Sequence, residues 1–511
     1  MSDVNVEDPI IAEQGEGVAK EDTQGVVICD PVIGQTHPSD DIKLVYQGLW
    51  WTPEHPEKTV HGVLRLTPYQ SADLELFDRL GLGIGQYSGL IHGEAVDGTP
   101  LTLCDLFVLS LSKQGRDHRR EIGHIQVGTV IIEGRWPTGA PIRFLEVEIE
   151  FRNLCTWSDY SPFRVTRSAE DRSGNLTFAS DEIVPLFEDE TMTIFLRNSA
   201  ANNFSYNFRE WDGRIHRKAS VVLRGKEELP YSNYRSRILQ IQSFLSFCLG
   251  VAAIPEKIVG KSYVNSITRP ENSPPELPNP VLLPISIETT DFHRTGADQL
   301  RDKKSIFPPL LFDDIRGHSP SILQRWIESE EQFKIPRMLF FSTFFSSQMY
   351  LQQEYITRAQ CIETYHRISG NYLDYLSEPR DYDHRICEAR AALRWCTNLK
   401  KKQYERFISQ IKNGNKPSLS NRIDQILKRH EAIVPLIISD TAGFANTVAK
   451  NRNHLTHCDN KPEETYATPE ELWDLSQQLG RLFYLCVLDE LGLEQKIIET
   501  TLKRLKRWII P

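Results

Sequence analysis

The spacing of apolar residues changes once along this chain, and this change constrains the fold more than any other feature of the sequence. Between Ile42 and Leu223, short runs alternate apolar and polar residues, as in Val60–Leu66 and Leu145–Phe151, and such alternation predicts β-strands. Farther along, apolar residues recur every three or four positions, which is typical of helices. We therefore expect a β-rich region followed by an all-helical region.

Turn and cap signals refine this division. Asp97-Gly98 between two alternating runs indicates a hairpin, and Thr468-Pro469-Glu470-Glu471 is a capping box with proline at the first helical position. We predict helices over four segments: Ser236–Ala252, Met338–Ile368, Arg385–Ile411 and Asp440–His457. The predicted fold class is α+β and multidomain, with a β-rich, sandwich- or barrel-like N-terminal domain followed by an all-α helical bundle.

Composition suggests where the domains begin and end. Residues 1–40 are acidic and poor in aromatics, which predicts a disordered tail. Polar stretches before Ser319 place a boundary there, so the remaining domains are predicted at 41–319 and 320–511. The net charge is −10, but Ser321–Pro511 carries a net charge of +3 and the rest of the chain −13. An anionic partner is therefore expected near the C-terminal part.

The sequence gives no sign of a membrane or secretory protein. No apolar run approaches the roughly 18 residues that cross a bilayer, and the acidic start lacks the features of a signal peptide. The nine cysteines are scattered, with no Cys-x-x-Cys pair, which is typical of reduced thiols. We expect a cytoplasmic protein without a membrane partner.

One polar segment near the end of the predicted Asp440–His457 helix carries groups suited to RNA cleavage. It reads Arg452-Asn453-His454-Leu455-Thr456-His457. Imidazole groups in general titrate near neutral pH, and the imidazole of His457 can move protons to or from the reacting oxygens. The guanidinium of Arg452 fits phosphate oxygens and can stabilise the charge that develops on them, while Asn453 can hold the histidine or the phosphate. No metal or other cofactor is needed if the 2′-hydroxyl of the substrate is the nucleophile.

The residues alone leave other interpretations open. Arg119–His124 has the same Arg-x4-His spacing, although it lies in the β-rich part. Arg452 and His457 can instead serve only to stabilise the C terminus of a helix, where cations interact favourably with the dipole. A metal site formed by His454, His457 and Cys458 is a poor alternative, because the three lie close together without a second ligand pair.

A second candidate feature is the stretch Arg394–His430. It contains ten Lys and Arg residues but only two acidic residues, Glu405 and Asp424. Such a stretch can follow an RNA backbone. A solvated helix face is the commoner explanation of a charge run of this kind. The sequence does not decide between these two interpretations.

The segment Phe444–His457 resembles the Arg-Asn-x-x-x-His element of HEPN domains, and it is closest to the Apea-like group. The similarity spans about Ile335–Leu493, and the helix with Ile362-Glu363 resembles the first core helix of the family, which has an acidic residue facing the motif. His454 stands where tyrosine is usual, so which histidine is the better acid or base stays open. Three segments of the N-terminal part resemble the ApeA N-terminal domain: Gly48–Trp51, His92–Leu103 and Leu154–Trp157.

The resemblance implies a metal-independent HEPN endoribonuclease that acts in antiphage defence by abortive infection, with the N-terminal domain sensing an invader signal. It implies catalytic work by Arg452 and His457, supported by Asn453 and Glu363. The expected partners are RNA, most simply cellular RNA, and a phage-derived trigger. The alternative is a non-catalytic HEPN dimerisation or adaptor module with a ligand-binding β-domain.

A homo-oligomer, at least a dimer, is expected for two reasons. Cleavage uses both a proton acceptor and a proton donor, whereas one chain offers one firm histidine, and a second copy would supply the partner group. The predicted helix after Met338 also has a cluster of four phenylalanines, one side of which is expected to pack across a two-fold axis: Phe340, Phe341, Phe344 and Phe345.

Overall fold

A computed structural model gives the fold of most of the chain. It describes residues 44–67, 71–114, 120–136, 140–161, 163–167, 174–178, 181–207, 210–263, 282–289, 307–346, 349–395, 400–457 and 466–506. Strands dominate up to residue 289 and helices dominate from residue 312 onward, which confirms the predicted fold class. The predicted disordered tail, residues 1–40, lies outside the described residues.

The strands of the described part are β1 (Leu44–Trp51), β2 (Val60–Leu66), β3 (Ala72–Leu76), β4 (Gly85–Tyr87), β5 (Ile91–Ala95), β6 (Pro100–Gln114), β7 (Arg120–Ile132), β8 (Arg143–Phe151), β9 (Phe163–Arg167), β10 (Gly174–Phe178), β11 (Glu182–Glu188), β12 (Met192–Asn207), β13 (Glu210–Pro230), β14 (Pro255–Tyr263) and β15 (Leu282–Thr289). The alternating runs at Val60–Leu66 and Leu145–Phe151 fall on β2 and β8, as predicted. In β2 and β8, alternate residues on one face are buried, which accounts for the alternation.

Antiparallel pairing joins all of these strands except β9 and β10 into one sheet, in the order β11-β12-β13-β8-β14-β15-β7-β3-β2-β1-β5-β6-β4. An additional pairing of β6 with β7 closes six strands into a ring around an apolar core that includes Trp50 and Leu103. Of the two predicted architectures, this ring is the barrel-like one. The predicted hairpin at Asp97-Gly98 joins β5 to β6, and Gly98 has a φ of +85° that glycine adopts readily.

The helices are α1 (Leu154–Ser158), α2 (Tyr231–Leu249), α3 (Phe312–Ile315), α4 (Ser319–Glu328), α5 (Glu330–Phe345), α6 (Leu351–Ile368), α7 (Pro379–Arg394), α8 (Lys401–Asn413), α9 (Leu419–Arg429), α10 (Phe444–His457), α11 (Pro469–Glu490) and α12 (Gln495–Leu505). The predicted helix Ser236–Ala252 corresponds to α2. The capping box of α11 is present, because Thr468 Oγ1 accepts from the Glu471 amide and the Glu471 carboxylate accepts from the Thr468 amide at 2.9 Å.

Two predicted helices are each divided in the structure. Met338–Ile368 forms α5 and α6 rather than one helix, because Ser346 has extended backbone angles that end α5. Arg385–Ile411 likewise forms α7 and α8, and the residues between them that lie outside the described part are 396–399. Apolar spacing predicted these helices but not their ends, since it continues in phase across a short break.

The β-rich part and the helical bundle share one continuous core. The ring of Phe247 on α2 stacks on Tyr484 of α11 with centroids 4.2 Å apart, and Trp326 Nε1 of α4 donates to the Gln240 carbonyl at 3.1 Å. In the bundle, α6 packs against α5, α9, α10 and α11. The boundary near Ser319 stays a prediction.

The phenylalanine cluster belongs to this core. Phe340, Phe341 and Phe344 are buried within the chain, and the Phe340 ring lies 4.8 Å from that of Phe483 on α11. The prediction that this cluster presents an apolar surface to a second copy is therefore wrong. The apolar residues of α5 instead pack this helix against α2, α4 and α11.

Candidate active site

The motif predicted from the sequence forms the C-terminal half of α10. The inner face of this helix is fixed by hydrogen bonds, because Tyr355 Oη of α6 donates to the Val448 carbonyl at 2.8 Å and Asn451 Oδ1 accepts from the Ala467 amide at 2.8 Å. Burial raises the pKa of the Tyr355 hydroxyl, which keeps it a donor, while the charge of Arg452 acts in the opposite direction. The two anchors hold α10 between α6 and the start of α11.

Arg452 is held by an acidic residue on the central helix of the bundle. Its Nη2 donates to Glu363 Oε2 at 3.3 Å, and only 22% and 26% of the two side chains are exposed. Glu363 also accepts from Arg367 at 3.2 Å. The Nε–H of Arg452 is buried and has no hydrogen-bond partner in the described part of the chain. A buried donor without an acceptor costs free energy.

His457 and Asn453 are exposed at the end of the same helix. The helix remains regular through His457, so they share a face at the predicted i, i+4 spacing. Five residues advance about 500° around a helix axis, so Arg452 and His457 point about 140° apart in one chain. The described helix does not loosen before it ends at His457, so these two side chains do not converge within one chain.

His454 has a different environment from His457. Its ring stacks on Tyr466, with centroids 3.5 Å apart and planes at 14°, and its Nδ1 is buried without a hydrogen-bond partner among the described residues. Lys450 Nζ lies 5.8 Å from the same tyrosine ring. Tyr466 was not predicted from the sequence, because local sequence patterns do not reveal a contact with a residue outside α10.

A polar groove of about 380 Å³ lies beside this stacked pair, between α10 and the start of α11. Its walls combine one cation, two carboxylates and neutral groups from both elements: Thr447, Lys450, Asn451, Tyr466, Ala467, Glu471, Asp474 and Leu475. The groove uses the face of α10 that includes Asn451, so it runs next to the motif. It is large enough to admit a small polar group.

A second buried polar cluster lies one turn beyond Glu363 on α6. His366 Nδ1 accepts from Arg422 Nη1 at 2.9 Å, and its Nε2 lies 3.1 Å from Gln425 Oε1, so the neutral ring with a proton on Nε2 satisfies both neighbours. Burial, assisted by the charge of Arg422, lowers the pKa of His366 to about 4. Arg422 also pairs with Asp374 at 2.6 Å. This cluster joins α6, α9 and the segment that follows α6.

The remaining sequence candidates do not join this site. Arg119 and Cys458 lie outside the described residues, and His124 is on β7, in the sheet. Within the described ranges, no group of three or more His, Cys, Asp or Glu side chains is arranged to hold a metal ion.

Comparison with known families agrees with this architecture. The family model for ApeA N-terminal domain 1 matches residues 45–326, more than half of the chain. The chain belongs to the ApeA family. A second family model, Apea-like HEPN, matches residues 356–497 and includes Glu363 and all of α10. No curated protein and no solved structure gives a significant match.

These two matches confirm the resemblance inferred from short motifs, and they identify the chain as an antiphage-defence HEPN protein. HEPN domains are generally associated with ribonucleases, and they generally bind RNA and dimerise. Among the described helices, none combines the length and the apolar character that crossing a bilayer requires.

Proposed function

We propose that this chain is a metal-independent endoribonuclease that acts on cellular RNA in the cytoplasm, as an abortive-infection response to a phage-derived trigger sensed by the N-terminal domain. The observation that carries the proposal is the environment of the Arg452 side chain. Its guanidinium is held by Glu363 and has a buried Nε–H that finds no acceptor among the described residues, while His457 is exposed on the same helix.

In this mechanism Arg452 binds the scissile phosphate. One edge of the guanidinium stays with Glu363, and the donors not used there meet the phosphate oxygens, where charge grows as the reaction proceeds. Because Glu363 sets the side chain before substrate arrives, little reorganisation is needed in the transition state. Asn453, exposed on the neighbouring face of α10, is positioned to donate to the phosphate or to hold His457.

The proton transfers are assigned to His457. The 2′-hydroxyl loses its proton to an imidazole as its oxygen attacks phosphorus, and the bond from phosphorus to the 5′-oxygen breaks as that oxygen gains a proton from an imidazolium. The products are a 2′,3′-cyclic phosphate and a 5′-hydroxyl. His454 is a weaker candidate, since its ring is covered by Tyr466.

A homodimer, or a larger assembly built from it, completes the site in this proposal. A single chain offers one exposed histidine in the motif, turned about 140° from Arg452 around the helix axis. Two copies of α10 lining one groove would supply both an acid and a base, and would place two guanidinium groups near one phosphodiester.

The experiment that tests the proposal compares RNA cleavage by the wild-type protein with cleavage by His457→Ala and Arg452→Ala. His55→Ala is a matched control, because His55 is a well-exposed histidine of the β-rich part. We expect loss of cleavage in the first two variants only. If wild-type protein leaves RNA intact both alone and in extract from phage-infected cells, the non-catalytic adaptor function replaces this proposal.

A further inference from the structure

Helices α7 and α8 form a hairpin that takes almost no part in the core of the bundle. They run antiparallel, since Tyr382 near the start of α7 donates a hydrogen bond to the Ile411 carbonyl near the end of α8. Each helix buries a single residue, Ile386 in α7 and Ile408 in α8. Helices that serve only to stabilise a bundle bury a whole apolar stripe, so this hairpin requires another explanation.

The hairpin concentrates the positive charge of the helical region. Residues 379–416 contain ten Lys and Arg and four Asp and Glu, a net charge of +6, whereas Ser321–Pro511 as a whole has a net charge of +3. On α8, Lys401, Lys402 and Arg406 are exposed, and none of them forms an ion pair within the described part of the chain. Unpaired cations grouped on one exposed helix attract a polyanion.

Two aromatic side chains accompany these cations. Trp395, directly after α7, is 85% exposed, and Phe407 on α8 is 45% exposed. A helix face that contacts only solvent does not require an exposed tryptophan. Exposed aromatics beside cations are what proteins use to stack the bases of a single strand while holding its phosphates, whereas a duplex hides the faces of its bases.

The base of the hairpin is joined to the candidate active site through short contacts. Ser377 and Asn415 close it with paired hydrogen bonds at 2.8 and 2.9 Å. Asp374, just before it, pairs with Arg422, which donates to His366 of α6. His366 is one helical turn from Glu363, the residue that holds Arg452.

We propose that the α7–α8 hairpin is an arm that binds single-stranded RNA, with its Lys and Arg side chains on the phosphates and Trp395 stacked on a base. The delivery of that strand to Arg452 rests on the proposed function, but the binding itself does not. The groups that carry the binding are Lys401, Lys402, Arg406 and Trp395, all within the described residues.

The test measures RNA binding separately from cleavage. Full-length His457→Ala protein is titrated onto a fluorescently labelled single-stranded RNA of about 20 nucleotides, and Kd is measured by anisotropy over a range of salt concentrations. In this background, Lys401→Gln/Lys402→Gln/Arg406→Gln is expected to raise Kd at least tenfold. It is also expected to reduce the slope of log K against log salt by about 2, since each phosphate contact on a single strand contributes about 0.7.

Trp395→Ala is expected to weaken binding several-fold without changing the salt slope, because stacking releases no counterions. The matched control is Lys496→Gln/Lys503→Gln/Lys506→Gln on exposed positions at and after α12, which removes the same charge and should leave Kd unchanged. Circular dichroism confirms folding, which these exposed positions should not affect.

Three results would contradict the proposal that the hairpin binds single-stranded RNA. They are wild-type RNA affinity in the hairpin variants, equal losses in the α12 control, and duplex RNA binding as tight as single-strand binding. The first would indicate that the surface serves a protein partner. Normal binding by an arm on a protein that never cleaves RNA would instead count against the proposed function alone.

Discussion

Glu363 of α6 and Arg452 of α10 form an ion pair at 3.3 Å that fixes the guanidinium at the edge of the bundle. The pair is partly solvated, with 22% and 26% of its side chains exposed, and such ion pairs contribute about 1 kcal/mol or less to stability. Its position matters more, because it turns a flexible side chain into an oriented one. The orientation of the Arg452 guanidinium therefore depends on Glu363.

Arg452→Ala is expected to lower kcat/KM for RNA by about 10²–10³-fold, because the charge on the phosphate loses its fixed donor. Arg452→Lys should also have a lowered kcat/KM, since an ammonium lacks the planar fork of a guanidinium. The melting temperature should change little. Cleavage assays and thermal unfolding on the same preparations check both statements, and an active Arg452→Ala protein would rule out the assigned role.

Glu363→Gln is expected to reduce activity less than Arg452→Ala, because it frees Arg452 without removing it. Arg367→Ala is the control, since Arg367 is the other guanidinium on the same carboxylate. Single-turnover kinetics should show a loss in Glu363→Gln and near wild-type rates in Arg367→Ala. Equal losses in both variants would indicate a general effect on α6 rather than orientation of Arg452.

His457 and His454 are expected to respond differently to substitution. His457→Ala should lower the cleavage rate by about 10²–10⁴-fold, the range typical of a lost general acid or base. His454→Phe keeps a ring on Tyr466 and should retain activity within a few-fold. The opposite pattern, measured in the same single-turnover assay, would transfer the proton-transfer role to His454.

Cleavage is expected to continue in EDTA, to leave a 2′,3′-cyclic phosphate and to spare DNA, because the ribose supplies the nucleophile. A substrate with one 2′-deoxy nucleotide at the cleavage position should be resistant there and cut elsewhere. Mass spectrometry of the products checks the terminus. Activity that falls with chelator and returns with zinc or magnesium would require a metal mechanism.

A shared groove predicts that inactive protein suppresses active protein. Light scattering should show a dimer or larger assembly, and a tenfold excess of His457→Ala protein, mixed and allowed to exchange, should sharply reduce wild-type activity. His55→Ala protein in the same excess should not. A monomer at assay concentration, with no suppression, would contradict the shared site.

The His366 cluster predicts a specific pH dependence of stability. The pKa of His366 in the folded chain, about 4, lies below its ordinary value of 6.5. The unfolded chain therefore binds the proton more readily, and stability falls as pH drops from 6.5 to about 4. His366→Asn keeps an acceptor for Arg422 and removes the titration. Urea unfolding across this window should show a shallower pH slope for the variant; identical slopes would exclude the assignment.

Local signals in the sequence predicted the parts of the fold that local chemistry determines. Period-two runs predicted β2 and β8, and the capping box predicted the start of α11. The closing contact between β6 and β7 escaped prediction, because pairing between strands is not encoded in either strand alone. The phenylalanines of α5 were misassigned for a similar reason, since an apolar stripe does not reveal which surface covers it.

The residues of the candidate site also differ in whether local sequence signals predicted them. The motif on α10 was visible because its residues are adjacent in sequence, and Glu363 was reached only through family resemblance, since 89 residues separate it from Arg452. Tyr466 was missed, as its contact with His454 requires the chain to return to α10.

The stacking of Phe247 on Tyr484 has a practical consequence for the expression of the HEPN portion by itself. Phe247 belongs to the β-rich half, and Tyr484 also donates a hydrogen bond to its carbonyl. A fragment beginning at Ser319 would leave Tyr484 and Trp326 without the Phe247 ring that packs on both, and would expose an apolar patch to solvent. Such a truncation is expected to precipitate or to need detergent, so inhibitors and triggers are best screened on the intact polypeptide.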